Sequence, residues 1–308
     1  MTPDLSIVIP AYNEEARIGR SLDSILDFVS QRAFSAEVVV VDDGSSDDTA
    51  AVVAGRTERY LAAGVRLRTV TNKPNRGKGY SVRRGVLEAR GAIVLFTDAD
   101  LSSPITESPK LIDPIVENRA DVTFGSRALD RSLVGVHQPL IRDFGGRIFN
   151  LLMKIITGLP FQDTQCGFKA FRRQPALPVF NLQRIEGFGF DPELLYVSRK
   201  HGLKLLEVPV TWNDVAGSRV NYFTDSLRMF GDLILIRLND LMSRYSAKAP
   251  ASAQTVPASV QRAPASVTSS IEPDTISVAG LSTDNVATSL KSQAAAHGGS
   301  RVESDDQA

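Results

Sequence analysis

The sequence predicts an α/β fold, an open and mostly parallel sheet covered by helices. Three observations predict it. Strand-length apolar runs recur at Leu5–Ile9, Glu37–Val41, Val65–Thr71, Ile93–Thr97 and Asp121–Ser126. Stretches with helical signals separate them, and this alternation is the signature of a doubly wound sheet. Several runs also stop abruptly in acidic or glycine-bearing loops, and ligands of such sheets sit beyond the carboxyl ends of the strands.

After the first strand, Ile18, Leu22, Ile25, Leu26 and Val29 recur at helical spacing, with Asn13 as N-cap and Glu14 and Glu15 in the first turn. Asp47 caps a second predicted helix that runs through Ala63. The third strand leads through Asn75-Arg76-Gly77-Lys78-Gly79 into another helix, and the fourth ends in Asp98-Ala99-Asp100. Beyond Arg127 the pattern loosens. A long loop precedes 147–156, a segment too apolar for an ordinary surface helix. A helix over Pro192–His201, a strand over Leu203–Trp212 and a last helix over about Thr224–Tyr245 follow. That helix carries Leu227, Phe230, Ile234, Leu238, Leu241 and Tyr245 on one stripe.

From Ala249 onward there is no aromatic residue, and Ala, Ser, Thr, Val, Gln and Pro dominate. Such a composition buries too little apolar area to offset the entropy of ordering, so 247–308 is expected to be a disordered tail. The expected organisation is a ligand-binding half over 1–126 and a second half of the same domain over 127–246.

The 308 residues suffice for a large core. Formal charge is zero, but the tail beyond Lys248 has three basic against six acidic residues. The remainder is therefore mildly positive, at +3. That bias suits a phosphorylated ligand and is too small for nucleic acid. The single cysteine, Cys166, excludes an internal disulfide and a cysteine-based zinc site. The first ten residues run straight into a strand without a leader pattern, and no apolar run approaches the ~20 residues of a membrane span. The expectation is a cytoplasmic chain that is soluble or lies on a membrane.

Four strand-terminal loops carry the candidate chemistry: 10–15, 42–47, 75–79 and 98–100. Two carboxylates at a strand end, Asp98 and Asp100, suit a hard divalent ion such as Mg²⁺, which favours one or two carboxylates plus substrate phosphates. Acids after the second strand could accept bonds from a base or from ribose hydroxyls. Gly77 and Gly79 would let backbone approach a diphosphate, with Lys78 as a point charge. Each loop has a plainer reading, since glycines make turns and acids cap helices; Asp47 reads as a cap. Competing chemistries lack their residues: the histidines His137, His201 and His297 have no metal-ligand or triad spacing. No G-x-S-x-G, G-x-x-x-x-G-K-[ST] or G-x-G-x-x-G pattern serves the chain.

IVIPAYNEE, VVVDDGSSDDT, NRGKG and FTDADLS, in this order, resemble family 2 glycosyltransferases of the GT-A fold. FGSR, DTQCGFKAF, GFGFDPELL and VPVTWNDVAGSRV extend the likeness to the dolichyl-phosphate β-glucosyltransferase branch and its prokaryotic relatives, over roughly residues 4 to 240. The sequence departs from that branch in showing no N-terminal membrane anchor, and in Gly217-Ser218-Arg219 where the branch has Gly-Ser-Lys.

The resemblance implies an inverting transfer of glucose from UDP-glucose to dolichyl or polyprenyl phosphate. Donor binding would fall to Pro10, Ala11, Tyr12, Glu14, Asp42, Asp43 and Lys78, and to Asp98, Ala99 and Asp100, whose carboxylates would hold Mg²⁺ or Mn²⁺. A hydroxyl acceptor would need a base such as Asp191 or Glu193. A lipid monophosphate, with a second pKa near ~6, arrives anionic and needs cations instead; Arg127, Arg142, Lys169 and Arg219 are the candidates. The alternatives are transfer to a hydroxyl of a soluble or envelope glycan, and a non-catalytic sugar-nucleotide binder. A lipid acceptor further implies peripheral contact with the cytoplasmic membrane face, through Ile148–Ile156 and the last helix.

Overall fold

Seven strands form one twisted sheet in the order β3-β2-β1-β4-β6-β5-β7. The strands are β1 (Leu5–Ala11), β2 (Ala36–Asp42), β3 (Arg66–Thr71), β4 (Ile93–Thr97), β5 (Val122–Ser126), β6 (Phe168–Arg172) and β7 (Leu205–Pro209). The computed structural model describes residues 2–133, 150–213 and 222–246, without the side chains of 222–227. All of them belong to one compact unit, Met1–Ser266. The predicted tail lies outside the described residues.

β1 runs parallel to both β2 and β4, and β2 parallel to β3. The predicted strands therefore form, with ends shifted by a few residues. Their side chains go alternately to two cores. Ile7, Ile9, Val38, Val40, Ile93 and Leu95 face one; Val8, Val39, Val41, Val94 and Phe96 face the other. Strands covered on both sides must be apolar throughout, which is why they read as unbroken runs. Each fully buried Val or Ile contributes about 1.5–3 kcal/mol relative to exposure.

One strand was not expected. β6 inserts between β4 and β5, antiparallel to both. β7 then pairs parallel with β5.

The helices are α1 (Glu15–Ser30), α2 (Thr49–Ala54), α3 (Thr57–Ala62), α4 (Lys78–Glu88), α5 (Ser108–Val116), α6 (150–157), α7 (Arg173–Leu182), α8 (Phe190–Lys200) and α9 (Tyr222–Leu241). The predicted helix from Asp47 to Ala63 is broken into α2 and α3 at Gly55-Arg56. Asp48, not Asp47, is the N-cap of α2, but the Asp47 carboxylate accepts from Thr49 N and Oγ1 at the start of α2 and from Glu15 N at the start of α1. Asn13 is not the N-cap of α1; Glu14 is. Asn13 takes a left-handed conformation (φ 54°) and accepts from Ser46 N instead, binding the first loop to the second.

The predicted stripe of α9 divides. Leu233, Ile236 and Asn239 are buried, together with Tyr245 beyond the helix end, whereas Ile234, Leu235, Leu238, Leu241 and Met242 are exposed, Leu241 to 77 %. On α6, Met153 is buried while Leu151 and Ile155 face outward, Ile155 to 70 %. No helix among the described residues is long and apolar enough to cross a membrane.

Candidate active site

The chain moves outward from β1 through β2 to β3, then returns to place β4 on the other side of β1. At that reversal the following loops diverge and leave a crevice at the carboxyl ends of β1 and β4. The four predicted loops converge there. Loop 10–14 is tied to loop 43–49 by Asp43 N to Ala11 O at 2.8 Å, Asn13 N to Ser45 Oγ at 2.9 Å and Glu14 N to Thr49 Oγ1 at 2.7 Å. Ser21 Oγ of α1 donates to Ala99 O at 2.6 Å, fixing the Asp98–Asp100 turn.

Asp98 and Asp100 lie side by side at the end of β4. Lys78, the first residue of α4, reaches Asp98 Oδ1 at 2.7 Å. Burial works against the Lys78 charge, but Asp98, Asp191 and Asp100 outweigh it and hold its pKa above the ordinary lysine value. Asp100 Oδ1 accepts from Ser102 N and Oγ, at 3.0 and 2.9 Å. Its Oδ2 faces Arg17 Nη1 at 3.8 Å. Gly167, just before β6, leaves the space that the Asp98 carboxylate fills; a Cβ there would collide with it. Two partly exposed carboxylates at a strand end fit a hard cation that also takes phosphate oxygens. The described residues contain no group of three or more acidic, His or Cys side chains that could hold a metal unaided.

Other predicted donor residues divide into two sets. Tyr12 is 43 % exposed at the mouth, beside Pro10 and the buried Ala11. Asp42, at the end of β2, accepts from Ser45 N at 3.0 Å. Asp43 and Glu14 do not point free carboxylates into the crevice. Asp43 is buried and clamps the third loop, accepting from Asn72 Nδ2, Arg76 N and Gly77 N at 2.7, 3.0 and 2.7 Å. Glu14 is held by both arms of Arg17, at 2.8 and 2.7 Å. Gly77 and Gly79 also differ from expectation. Their missing side chains admit the 185–190 segment: a Cβ on Gly77 would stand 2.6 Å from Glu186 O, and one on Gly79 2.6 Å from Phe190 Cβ.

The candidates for the acceptor side change most. Lys169 is fully buried in β6, where its ammonium donates to Asp191 Oδ1 at 2.5 Å and to Cys166 O at 2.6 Å. It is an internal counter-ion, not a cation open to an acceptor. Asp191, at the start of α8, is correspondingly no free base. Burial pushes its pKa up, and Lys169 and Lys78 oppose that shift without cancelling it. Glu193 is buried too, accepting from Tyr245 Oη at 2.6 Å and from Arg184 N and Ile185 N.

Arg127 directly follows β5 and grips the buried Asp163 with two arms, at 2.6 and 2.9 Å, beneath the Trp212 ring. Burial disfavours its charge, but Asp163 more than compensates, and the pKa stays above the usual arginine value. Its Nη1 edge makes no hydrogen bond among the described residues and remains available to an anion. Arg142 and Arg219 lie outside the described residues.

Sequence reasoning missed Arg17, Asp163 and the Lys169–Asp191 pair. Arg17 had a signal: it stands three residues after Glu14, at a spacing that pairs opposite charges at a helix start.

The fold and the family match together define a glycosyltransferase of the GT-A type. The chain belongs to the glycosyltransferase family 2, whose model matches residues 6–179. Several relatives bear the name dolichyl-phosphate beta-glucosyltransferase. That of Dictyostelium discoideum is 33 % identical over 80 % of this chain and 77 % of its own. Those of Homo sapiens and Saccharomyces cerevisiae are 34 % and 35 % identical, each over 78 % of this chain and 76 % of their own. Among solved structures, glucosyl-3-phosphoglycerate synthase from Mycobacterium tuberculosis, in complex with Mn²⁺, UDP-glucose and phosphoglyceric acid, shares the fold. Its TM-score is 0.53 at 23 % identity, covering 80 % of this chain and 81 % of that one.

Proposed function

We propose that this glycosyltransferase moves glucose from UDP-glucose to dolichyl or polyprenyl phosphate, with inversion and with the help of Mg²⁺ or Mn²⁺. The relatives named above support the donor sugar and the acceptor, and the structural neighbour's complex supports the nucleotide and the ion. The single observation that carries the choice of acceptor is the buried Lys169–Asp191 pair. A hydroxyl acceptor must lose a proton, and the acids best placed to take it, Asp191 and Glu193, are both buried and occupied. A phosphate acceptor is already anionic and needs no base.

In this reading residues 1–126 form the donor half and 127–246 the acceptor half. Tyr12, Pro10, Ala11 and Asp42 line the nucleoside end. Asp98 and Asp100, with Ala99 between them, would hold the ion, whose charge would offset that of the departing UDP. An acceptor phosphate oxygen attacks the anomeric carbon from the face opposite UDP. The new C–O bond forms as the bond to the UDP oxygen breaks, and UDP leaves with that electron pair. Arg127 steadies the acceptor phosphate through its free edge. The exposed apolar faces of α6 and α9 rest on the cytoplasmic face of a membrane, where such an acceptor resides.

The test is incubation with Mg²⁺, a panel of UDP- and GDP-sugars, and either a short polyprenyl phosphate or the matching free alcohol, with products read by mass. Hexosyl-phosphoryl-lipid from UDP-glucose is expected, and none on the alcohol. Product on the alcohol alone overturns the acceptor assignment.

A further inference from the structure

Both carboxylates that would hold the ion already face cations of the chain itself. Lys78 sits on Asp98 at 2.7 Å, and Arg17 stands 3.8 Å from Asp100. Arg17 is anchored through Nε and Nη2 on Glu14, while its Nη1, buried and turned toward Asp100, has no hydrogen-bond partner among the described residues. A buried guanidinium edge without a partner is a donor held ready for an acceptor that is absent. Lys78 stands at the first turn of α4, where the helix terminus favours negative charge.

We infer that Lys78 and Arg17 are a counter-ion latch: they hold the Asp98–Asp100 site against a free divalent cation and release it to one arriving with a nucleoside diphosphate. A metal ion alone must displace Lys78 from Asp98 and approach Arg17, with nothing to take up their charges. A diphosphate supplies that partner. Its oxygens draw Lys78 off Asp98 and satisfy Arg17 Nη1, and the freed carboxylates and the diphosphate share the ion. Metal and nucleotide therefore bind cooperatively, each by the same factor for the other. The consequence is that Mg²⁺ or Mn²⁺ does not fill the crevice before the donor comes. The inference rests on the metal assignment above.

The test reads free Mn²⁺ by electron paramagnetic resonance, titrated with and without UDP. In the wild-type chain UDP should tighten Mn²⁺ binding at least tenfold, or about 1.4 kcal/mol. Lys78→Met should bind Mn²⁺ alone at least tenfold more tightly than wild type and lose most of the enhancement by UDP. Lys78→Arg should keep the wild-type pattern. Arg76→Met is the control for general charge, because Arg76 pairs with Glu186 and faces neither carboxylate; its Mn²⁺ affinity should not change. If Lys78→Met is no tighter, or Arg76→Met tightens equally, the latch is wrong while the metal site stands. If UDP binds but no Mn²⁺ follows it in the wild type, the metal assignment fails and takes the latch with it.

Discussion

Replacing Lys169 by Met should be among the most damaging single substitutions in this chain. The residue is a lysine at the centre of a sheet, fully buried between β4 and β5. Met has similar volume, so the loss is electrostatic. Removing one partner of a buried pair leaves the other uncompensated, at a cost of about 3–5 kcal/mol. For a folded part of this size that is a fall in Tm of roughly 6–20 °C. The pH dependence gives a sharper check. Burial already raises the Asp191 pKa, and Lys169 is first among the groups holding it down. Without Lys169 the folded-state value rises further above the unfolded one, which is about 3.9. A carboxyl whose folded pKa is raised contributes stability that is full below the unfolded value and lost as pH rises through the folded value. The deficit of Lys169→Met against wild type should thus be largest near pH 8 and shrink on acidification. Lys169→Met with Asp191→Leu should recover most of the loss, since an apolar pair avoids desolvating either charge. Urea unfolding from pH 5 to pH 8 measures all three. A loss below about 1 kcal/mol at pH 8, or one independent of pH, would refute the assignment of a buried ion pair.

Three further outcomes are expected. Asp98→Asn or Asp100→Asn should abolish turnover, by a factor of about 10²–10³ or more, while circular dichroism stays unchanged; EDTA should do the same to wild type, and Mg²⁺ or Mn²⁺ should restore it. Asp191→Asn, followed by single turnover at a temperature where it remains folded, should slow the chemical step less than tenfold; a loss of about 10²–10⁴ would identify Asp191 as a general base and favour a hydroxyl acceptor. Wild-type protein should float with liposomes, and Leu151→Glu with Ile155→Glu, or Leu238→Glu with Leu241→Glu, should release it without lowering Tm, because these side chains are exposed.

The first half of the sheet was legible because its strands are apolar throughout and its loops carry acids at their ends. β6 was hidden by the residue that gives it its role: Lys169 interrupts Phe168-Lys169-Ala170-Phe171 and breaks the apolar run that would mark a buried strand. Only Asp191, more than twenty positions away, explains a lysine there, and local sequence does not carry that pairing. The placement of Asp98 and Asp100 was legible for the opposite reason, since these carboxylates follow directly on a strand. The ties that Glu14 and Asp43 make within the protein were not legible, because an acid at a strand end can bind a ligand or bind another loop. The hydrogen-bonding partner decides, here Arg17 and the backbone of 76–77. The stripe on α9 was a real periodicity, but 3.6-residue spacing marks an apolar face without saying what covers it.

That outward stripe bears on the acceptor. A helix lying on a sheet turns its most apolar side inward, as α1 does with Ile18, Leu22, Ile25 and Val29. On α9 the inward side includes Asn239, which bonds Tyr245 Oη, while Ile234, Leu238 and Leu241 face outward. α6 repeats the pattern with Leu151 and Ile155 outside. A water-soluble acceptor gives no reason for either face. An acceptor with its phosphate at a bilayer surface does, because the catalytic crevice must then come down to the headgroups. In the proposed function, Asp232, Arg237 and Asp240 would keep α9 at that surface and out of the hydrocarbon. The apolar faces and the occupied Asp191 carboxylate thus support the proposed chemistry, a phosphate that is anionic before it reaches the enzyme and fixed to a membrane on which the enzyme would rest.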